Sequence, residues 1–236
     1  MQDLSLTYNL DRAKEQVSIS STLLFDMNNT ILYMDKVDWY SYRVPLLKNF
    51  NIVITYRDYL QYAGARRGYI LQKLYKDKMG KDLNKDKLRL LIKQGREFKS
   101  KVLLSQDFKN MVHLLPGIKE FLAWAKNNNK NLAVVTSTSK RYTPLILKSA
   151  GLYDFFDGTI TADDVFCGKP CAEPFVKGAE LFGVQSKDTI VFEDSFPGIE
   201  AGKSAGAFVI GVLTPGRNDK AVKNADAIIT DFRQLM

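Results

Sequence analysis

Short apolar segments alternate with helical segments along the second half of the chain, and this alternation constrains the fold more than any other feature. The apolar segments lie at residues 131–136, around Thr159, at 189–194, at 207–212 and near 227–229. Helical patterns of about ten residues separate them, which is typical of strands joined by right-handed helical crossovers. The sequence therefore predicts an α/β fold in which a Rossmann-like parallel sheet is sandwiched by helices.

An earlier apolar segment, at residues 21–26, ends in Asp26 and is followed by a polar turn. This order predicts a buried strand that leads into a functional loop. From about residue 33 to residue 110 no comparable segment occurs, and apolar side chains recur at helical spacing. We therefore expect an α/β core domain at residues 1–35 and 111–236, with a helical domain inserted at residues 36–110.

The formal charge of +8 has its excess in the predicted insert. Acidic residues are interleaved with the basic ones there, so we interpret this surface as solvated helix faces and expect no nucleic-acid partner. No apolar run reaches the roughly 18 residues that cross a bilayer, and the N-terminus lacks the order of a signal peptide. The sequence predicts a cytoplasmic protein with no membrane partner, and we expect a monomer.

Two residue types that often carry chemistry are scarce. The only cysteines are Cys167 and Cys171, and they lack the second pair that a structural zinc site needs, so we expect free thiols. The only histidine, His113, lies in an apolar run and is expected to be a packed or surface residue. Histidine-based catalysis is therefore disfavoured.

Polar side chains follow several of the predicted strands. Ligands of open parallel sheets bind at the carboxyl ends of the strands, so these side chains are expected to converge. Asp26, Glu193 and Asp194 offer the oxygen ligands that Mg²⁺ prefers. Ser137 can hydrogen-bond a phosphoryl oxygen, and Lys169 can offset the charge that develops during transfer. The pattern favours magnesium-dependent phosphoryl transfer.

Four segments carry a specific likeness to a known family. LLFDMNNTIL, VVTSTSK, GKPCAEPF and VFEDSFPGIEAGKSAG resemble the four successive motifs of the haloacid dehalogenase (HAD) superfamily. The likeness is greatest to its phosphatase and β-phosphoglucomutase-like branch, and it covers the chain from about Ser21 to Leu213. It implies a HAD-like hydrolase whose insert is a helical cap domain.

The resemblance implies roles for the first two motifs. Asp26 corresponds to the nucleophile that forms a phospho-aspartate, and Thr30 to the hydroxyl that braces the catalytic loop. Ser137 corresponds to the residue that binds the transferring phosphoryl group, although the neighbouring Thr136 and Thr138 are alternatives.

Roles in the last two motifs follow in the same way. Lys169 corresponds to the lysine that holds the nucleophile and the phosphoryl group together, and Asp194, with Glu193 beside it, to the residues that hold Mg²⁺. The alternative for both acids is capping of the following helix. The backbone carbonyl of Asn28 completes the implied metal ligands.

The string YAGARRGYILQKL resembles the specificity loop of the family's cap. Arg67, and with it Arg66, is thus expected to bind a second anionic group of the substrate. The alternative is that both are solvated surface arginines.

The chain departs from the family pattern at Asn28, where an aspartate normally provides general acid/base catalysis. An amide can neither donate nor accept that proton, so a factor of about 10² to 10⁴ in rate should be lost. Asn29 replaces a usual glycine, and asparagine also tolerates the left-handed turn. Four explanations stay open: a slow phosphatase, an engineered inactive variant, a non-catalytic pseudo-phosphatase, or a branch with other chemistry, which is the weakest.

We therefore predict a phosphomonoester hydrolase or sugar-phosphate mutase-like enzyme that acts on a small phosphorylated metabolite. The alternative from a different class is a binding protein that lacks turnover.

Overall fold

The computed structural model describes residues 9–62, 67–214 and 219–236. The chain divides into two compact units. One contains the residues up to Tyr33 and from Val112 onward, and the other is Met34–Met111. We call them the core unit and the insert unit.

The described residues form eight strands, all in the core unit. They are β1 (Thr22–Phe25), β2 (Leu32–Tyr33), β3 (His113–Leu114), β4 (Asn131–Val135), β5 (Gly158–Ile160), β6 (Thr189–Glu193), β7 (Phe208–Val212) and β8 (Ala227–Ile229). Six of them form a parallel sheet in the order β5-β4-β1-β6-β7-β8, and β2 pairs with β3 in a small antiparallel ladder. The predicted α/β class and parallel sheet are confirmed.

Helices occur in both units. They are α1 (Leu10–Ile19), α2 (Asp35–Phe50), α3 (Tyr56–Leu60), α4 (Arg67–Met79), α5 (Lys85–Leu103), α6 (Ile118–Asn127), α7 (Thr143–Ala150), α8 (Glu173–Glu180) and α9 (Phe196–Ser204). Short 3₁₀ turns lie at Gln106–Met111, Tyr153–Phe155, Ser186–Asp188, Asp219–Ala221 and Phe232–Leu235. No helix among the described residues is long and apolar enough to cross a membrane.

The central strand β1 is buried along its whole length because β4 and β6 flank it and side chains pack on both faces. On one face, Phe25 stacks on Phe192 with ring centroids 4.6 Å apart and touches Phe121 and Phe232. On the other face, Leu24 packs in a second apolar cluster under α8 and α9. Burial on both faces explains why this strand reads as a continuous apolar run.

Glycines let two helices approach the sheet closely. A Cβ atom added at Gly202 of α9 would lie 2.8 Å from Val209 Cγ2, and one at Gly178 of α8 would lie 3.0 Å from Val135 Cγ2. Larger side chains there would push the helices away from the strands that carry the polar edge.

The insert unit is a helical bundle with its own apolar core, which includes Leu46, Tyr59, Leu71, Leu74 and Leu91. Helices α2 and α5 pack closely against each other. A Cβ atom added at Gly95 of α5 would lie only 2.5 Å from the Ser41 carbonyl oxygen of α2.

The expectation of free thiols is wrong. Cys167 and Cys171 form a disulfide, with their Cα atoms 5.8 Å apart, inside the range that a disulfide spans. The physical reason is a tight turn: the Cys171 N–H donates to the Gly168 carbonyl at 3.1 Å, which brings the two side chains together.

Helix α1 had no sequence-based assignment. Ala13 and Val17 are fully buried, so the helix belongs to the core unit. The Lys130 ammonium donates to the carbonyls of Ser18 (3.0 Å) and Ser20 (2.6 Å) and so fixes the chain between α1 and β1.

Candidate active site

Three neighbouring strands end around one lysine. Asp26 directly follows β1, Val135 ends β4 and Glu193 ends β6. The Lys169 ammonium donates to Asp26 Oδ1 at 2.6 Å, to Glu193 Oε1 at 2.6 Å and to the Val135 carbonyl at 2.9 Å. A lysine has three N–H donors, so each of them has a partner. Lys169 thus joins the carboxyl ends of three parallel strands.

The loop after Asp26 is closed by hydrogen bonds. The Asn29 N–H donates to the Leu32 carbonyl (2.6 Å), and the Thr214 hydroxyl donates to the Asn29 carbonyl (2.7 Å). Asn29 has φ 67°, the left-handed conformation that asparagine adopts more readily than most residues. The loop therefore keeps a tight turn although it lacks glycine.

Thr30 lies between two carboxylates. Its hydroxyl oxygen is 3.4 Å from Asp26 Oδ2 and 3.3 Å from Asp194 Oδ1, and the residue is fully buried. These are long separations for O–H···O bonds, so the hydroxyl spaces the two carboxylates more than it binds either one.

Carboxylate oxygens of Asp26, Glu193 and Asp194 lie within 4.8 Å of one another. Oxygen atoms at such separations can converge on one Mg²⁺ after small side-chain adjustments, since the ion takes ligands at about 2.1 Å. The donor set therefore fits a hard divalent cation.

Burial and neighbouring charges shift the pKa values of Asp26 and Lys169. Burial, the largest cause, and the charge of Glu193 raise the pKa of Asp26 to about 7, although Lys169 acts in the opposite direction. Burial also lowers the pKa of Lys169, but Asp26 and Glu193 together outweigh it and hold that pKa above its ordinary value. The ammonium therefore stays charged.

Glu193 is bonded through both oxygens. Oε1 accepts from Lys169, and Oε2 accepts from the Ser195 N–H (2.9 Å) and the Ser195 hydroxyl (2.9 Å). Ser195 in turn caps α9, because its hydroxyl oxygen accepts from the Gly198 N–H at 3.1 Å. The helix is thus capped by serine, and Glu193 positions Lys169. Its predicted role as a metal ligand stays a prediction.

Gly198 leaves the space that Glu193 occupies. A Cβ atom added there would lie 1.8 Å from both Cδ and Oε1 of Glu193. The spacing of glutamate and glycine in VFEDSFPGIE therefore has a steric cause. Gly198 was visible in the sequence, but no local pattern indicated that a larger side chain there would clash with the Glu193 carboxylate.

Asn28 is held by its amide nitrogen. Nδ2 donates to the Thr138 hydroxyl oxygen at 3.1 Å, and Oδ1 is buried without a hydrogen-bond partner among the described residues. Thr138 therefore contacts the loop that follows Asp26, which the sequence did not indicate.

A cavity of about 270 Å³ opens beside this cluster in the core unit. Ser137 and Lys169 both line it, and Thr136, Phe166 and Gly168 form other parts of its wall. Ser137 is exposed, whereas Thr136 is buried and accepts from the Thr138 N–H (3.1 Å). Of the three neighbouring hydroxyls, Ser137 is therefore best placed to meet a ligand in the cavity.

The two arginines belong to the insert. Arg66 lies outside the described residues. Arg67 begins α4, donates to the Ser41 hydroxyl oxygen at 3.0 Å and lies over the Tyr42 ring at 4.5 Å. Arg67 thus packs within the insert unit, and its contact with a substrate stays a prediction.

His113 does not belong to the cluster around Lys169. It is exposed in β3 and its ring lies 5.2 Å from that of Tyr33.

Comparisons with known proteins identify similar sequences and similar folds. The model of the family described as haloacid dehalogenase-like hydrolase matches residues 23–212. The chain is 35% identical to validoxylamine A 7'-phosphate phosphatase of Streptomyces hygroscopicus subsp. limoneus over 50% of this chain and 55% of that protein. It is 34% identical to the phosphorylated carbohydrates phosphatase of Thermotoga maritima over 61% of this chain and 65% of that protein.

Both alignments span less than two thirds of the relative's length. Among solved structures, a β-phosphoglucomutase from Clostridium difficile has a TM-score of 0.68 at 23% identity, covering 92% of this chain and 93% of that chain. This is a likeness of fold.

Proposed function

Because the chain belongs to the haloacid dehalogenase-like hydrolase family, we propose that it transfers the phosphoryl group of a small phosphorylated metabolite through a phospho-aspartate at Asp26. The observation that carries the proposal is the buried Asp26 carboxylate held by Lys169 at 2.6 Å beside two further acids. A positioned carboxylate at the end of a strand is the nucleophile that covalent phosphoryl transfer requires.

In the proposed first step, an Asp26 carboxylate oxygen attacks phosphorus, and the bond from phosphorus to the leaving alkoxide oxygen breaks. Lys169 is already bonded to Asp26, so it orients the nucleophile and offsets the negative charge of the incoming group. A phosphoryl oxygen can take the place of one of its three present acceptors. The Ser137 hydroxyl donates to another phosphoryl oxygen from the cavity wall.

The metal of the proposed reaction is Mg²⁺, held by Asp26 and Asp194, with the Asn28 carbonyl and Glu193 as further candidates. When bound, it supplies positive charge that polarises the phosphoryl oxygens. Both Glu193 oxygens are already bonded to Lys169 and Ser195, so Glu193 would have to give up a partner to bind the ion.

The proposed reaction lacks a side chain that protonates the leaving group. The Asn28 amide has no acidic proton to transfer, and its nitrogen donates a hydrogen bond to Thr138. The alkoxide must take its proton from water, and water must also attack the phospho-aspartate without a base. The proposed enzyme is therefore slow on poor leaving groups, and phospho-aspartate accumulates when an activated donor is used.

Asn28 also favours a second candidate, a protein that binds a phosphorylated ligand without turnover. The names of the relatives support phosphorylated carbohydrates as the first class of ligand to test.

The test is a panel of sugar phosphates and p-nitrophenyl phosphate with Mg²⁺, applied to the unchanged chain, Asp26→Ala and Asn28→Asp. Asn28→Asp should raise kcat on a sugar phosphate by about 10² to 10⁴ and on p-nitrophenyl phosphate by less, because nitrophenolate leaves without protonation. Asp26→Ala should abolish turnover. If Asn28→Asp shows no turnover while the unchanged chain binds a sugar phosphate, the proposal of an enzyme fails and that of a binding protein replaces it.

A further inference from the structure

The disulfide lies around the lysine that organises the site. Residues 167–171 form a ring closed by the Cys167–Cys171 bond, and Lys169 is its middle residue. The backbone of this ring therefore determines where the Lys169 side chain starts. From there the ammonium reaches Asp26, Glu193 and the Val135 carbonyl.

The bond is accessible to small reagents. Cys167, Gly168 and Pro170 are exposed, and Cys171 is half-buried. Gly168 and the preceding Phe166 line the cavity beside Lys169, so the ring also forms part of the cavity wall. A thiol in solution can thus approach the Cys167 sulfur without opening the core.

Other contacts hold the same segment more weakly. Glu173 of α8 accepts from the Phe166 N–H (3.0 Å) and the Cys167 N–H (2.8 Å), and the Cys171 N–H donates to the Gly168 carbonyl (3.1 Å). These are bonds to exposed or half-buried backbone groups, which water can replace. The buried bonds of Lys169 hold its side chain, whereas the disulfide is the covalent restraint on the backbone of the ring, which solvent cannot replace.

We propose that Cys167 and Cys171 are a reversible dithiol–disulfide site that controls the active site by restraining the loop that carries Lys169. With the disulfide formed, Lys169 is held at Asp26 and Glu193. With the disulfide reduced, the loop gains backbone freedom and Lys169 occupies that position for less of the time. The control of activity rests on the proposed function, whereas the making and breaking of the bond does not.

The reductant of the Cys167–Cys171 disulfide in the proposed reaction is an external dithiol. Its thiolate attacks one sulfur of the pair, the Cys167–Cys171 bond breaks, and the second thiol of the reductant resolves the mixed disulfide. Two electrons and two protons pass to the cysteines, and the dithiol is oxidised to a disulfide. Formation is the reverse reaction with a disulfide oxidant.

The experiment uses the whole chain equilibrated in buffers of reduced and oxidised dithiothreitol. Accessible thiols are counted by the mass of a maleimide adduct, and backbone exchange at residues 166–171 is followed by deuterium uptake. The chain has only these two cysteines, so every change in thiol count belongs to this pair. We expect two thiols to appear together and reversibly, with faster exchange at the Cys167 and Cys171 N–H groups in the reduced chain.

Binding of inorganic phosphate in the presence of Mg²⁺ is measured on both forms, with the double variant Cys167→Ser/Cys171→Ser as the matched control. We expect binding to be about three- to tenfold weaker in the reduced chain, because a displaced cation loses part of its contact with the anion. The double variant should match the reduced chain and ignore the redox buffer.

The outcomes separate the two proposals. A pair that never oxidises, or a disulfide that cannot be reduced, overturns the reversible redox site, and a reversible pair that leaves deuterium uptake unchanged overturns the restraint of the loop. Equal phosphate binding by both forms overturns its control of the active site. If neither form binds phosphate while thiol count and exchange respond, the redox site stands and the proposed function fails.

Discussion

Substitution of Gly198 by alanine tests the role of Glu193 most directly. The new Cβ would lie 1.8 Å from Glu193 Cδ and Oε1 and 2.3 Å from Oε2. Non-bonded atoms approach to about 3.5 Å, so the carboxylate or the start of α9 must move by more than about 1 Å. Glu193 is 1% exposed, and both of its oxygens are bonded, so it has no alternative position that keeps its partners.

The expected loss of stability follows from the ion pair between Glu193 and Lys169 that this movement breaks. Separation of Glu193 from the buried Lys169 ammonium costs about 3 to 5 kcal/mol, the usual penalty for breaking a buried ion pair. Alanine returns about 1 kcal/mol through its higher helix propensity. The net loss of about 2 to 4 kcal/mol lowers Tm by roughly 5 to 15 °C for a chain of this length.

Thermal unfolding and phosphate binding measure the result, with Gly68→Ala as the matched control. Gly68 also lies in a helix, but its added Cβ would make only ordinary contact, 3.8 Å from Ile92 Cδ1. The control should leave Tm unchanged or slightly raised. A Gly198→Ala chain with an unchanged Tm and intact phosphate binding would refute the reasoning, because Glu193 would then be dispensable or free to move.

Two further predictions concern the metal and the insert. Because the pKa of Asp26 is raised to about 7, Mg²⁺ binding at pH 6 should release a proton and binding at pH 8 should not. Calorimetry in buffers of different ionisation enthalpy measures this, and a release that persists in Asp26→Asn would contradict the assignment. Arg67→Ala should raise KM for a bis-phosphorylated sugar far more than for p-nitrophenyl phosphate, if the guanidinium binds a second anionic group. Equal changes in KM for both substrates would mean that Arg67 only packs against Tyr42 and Ser41 within the insert unit.

Local pattern was sufficient to predict the six strands of the parallel sheet in chain order. The sequence predicted strands at 131–136 and 207–212, and β4 spans Asn131–Val135 and β7 spans Phe208–Val212. It also predicted the strand near 227–229, where β8 spans Ala227–Ile229. Burial of one helix face selects apolar side chains at helical spacing, and burial of both faces of a strand selects a continuous apolar run, so both patterns are visible in the residues themselves. Asp26 was placed at a strand end by the same reasoning.

The sequence by itself thus determined the class of fold, the chain order of the six strands in the parallel sheet, and the edge of the sheet where polar groups gather. The tertiary structure alone decided that Lys169 joins three strand ends, that Glu193 positions it above Gly198, and that Thr138 holds Asn28. It also decided that the two cysteines are bonded. These features depend on distances set by strand pairing, helix approach and the path of one turn. Such distances are properties of the packed chain, and no local period in the residues encodes them.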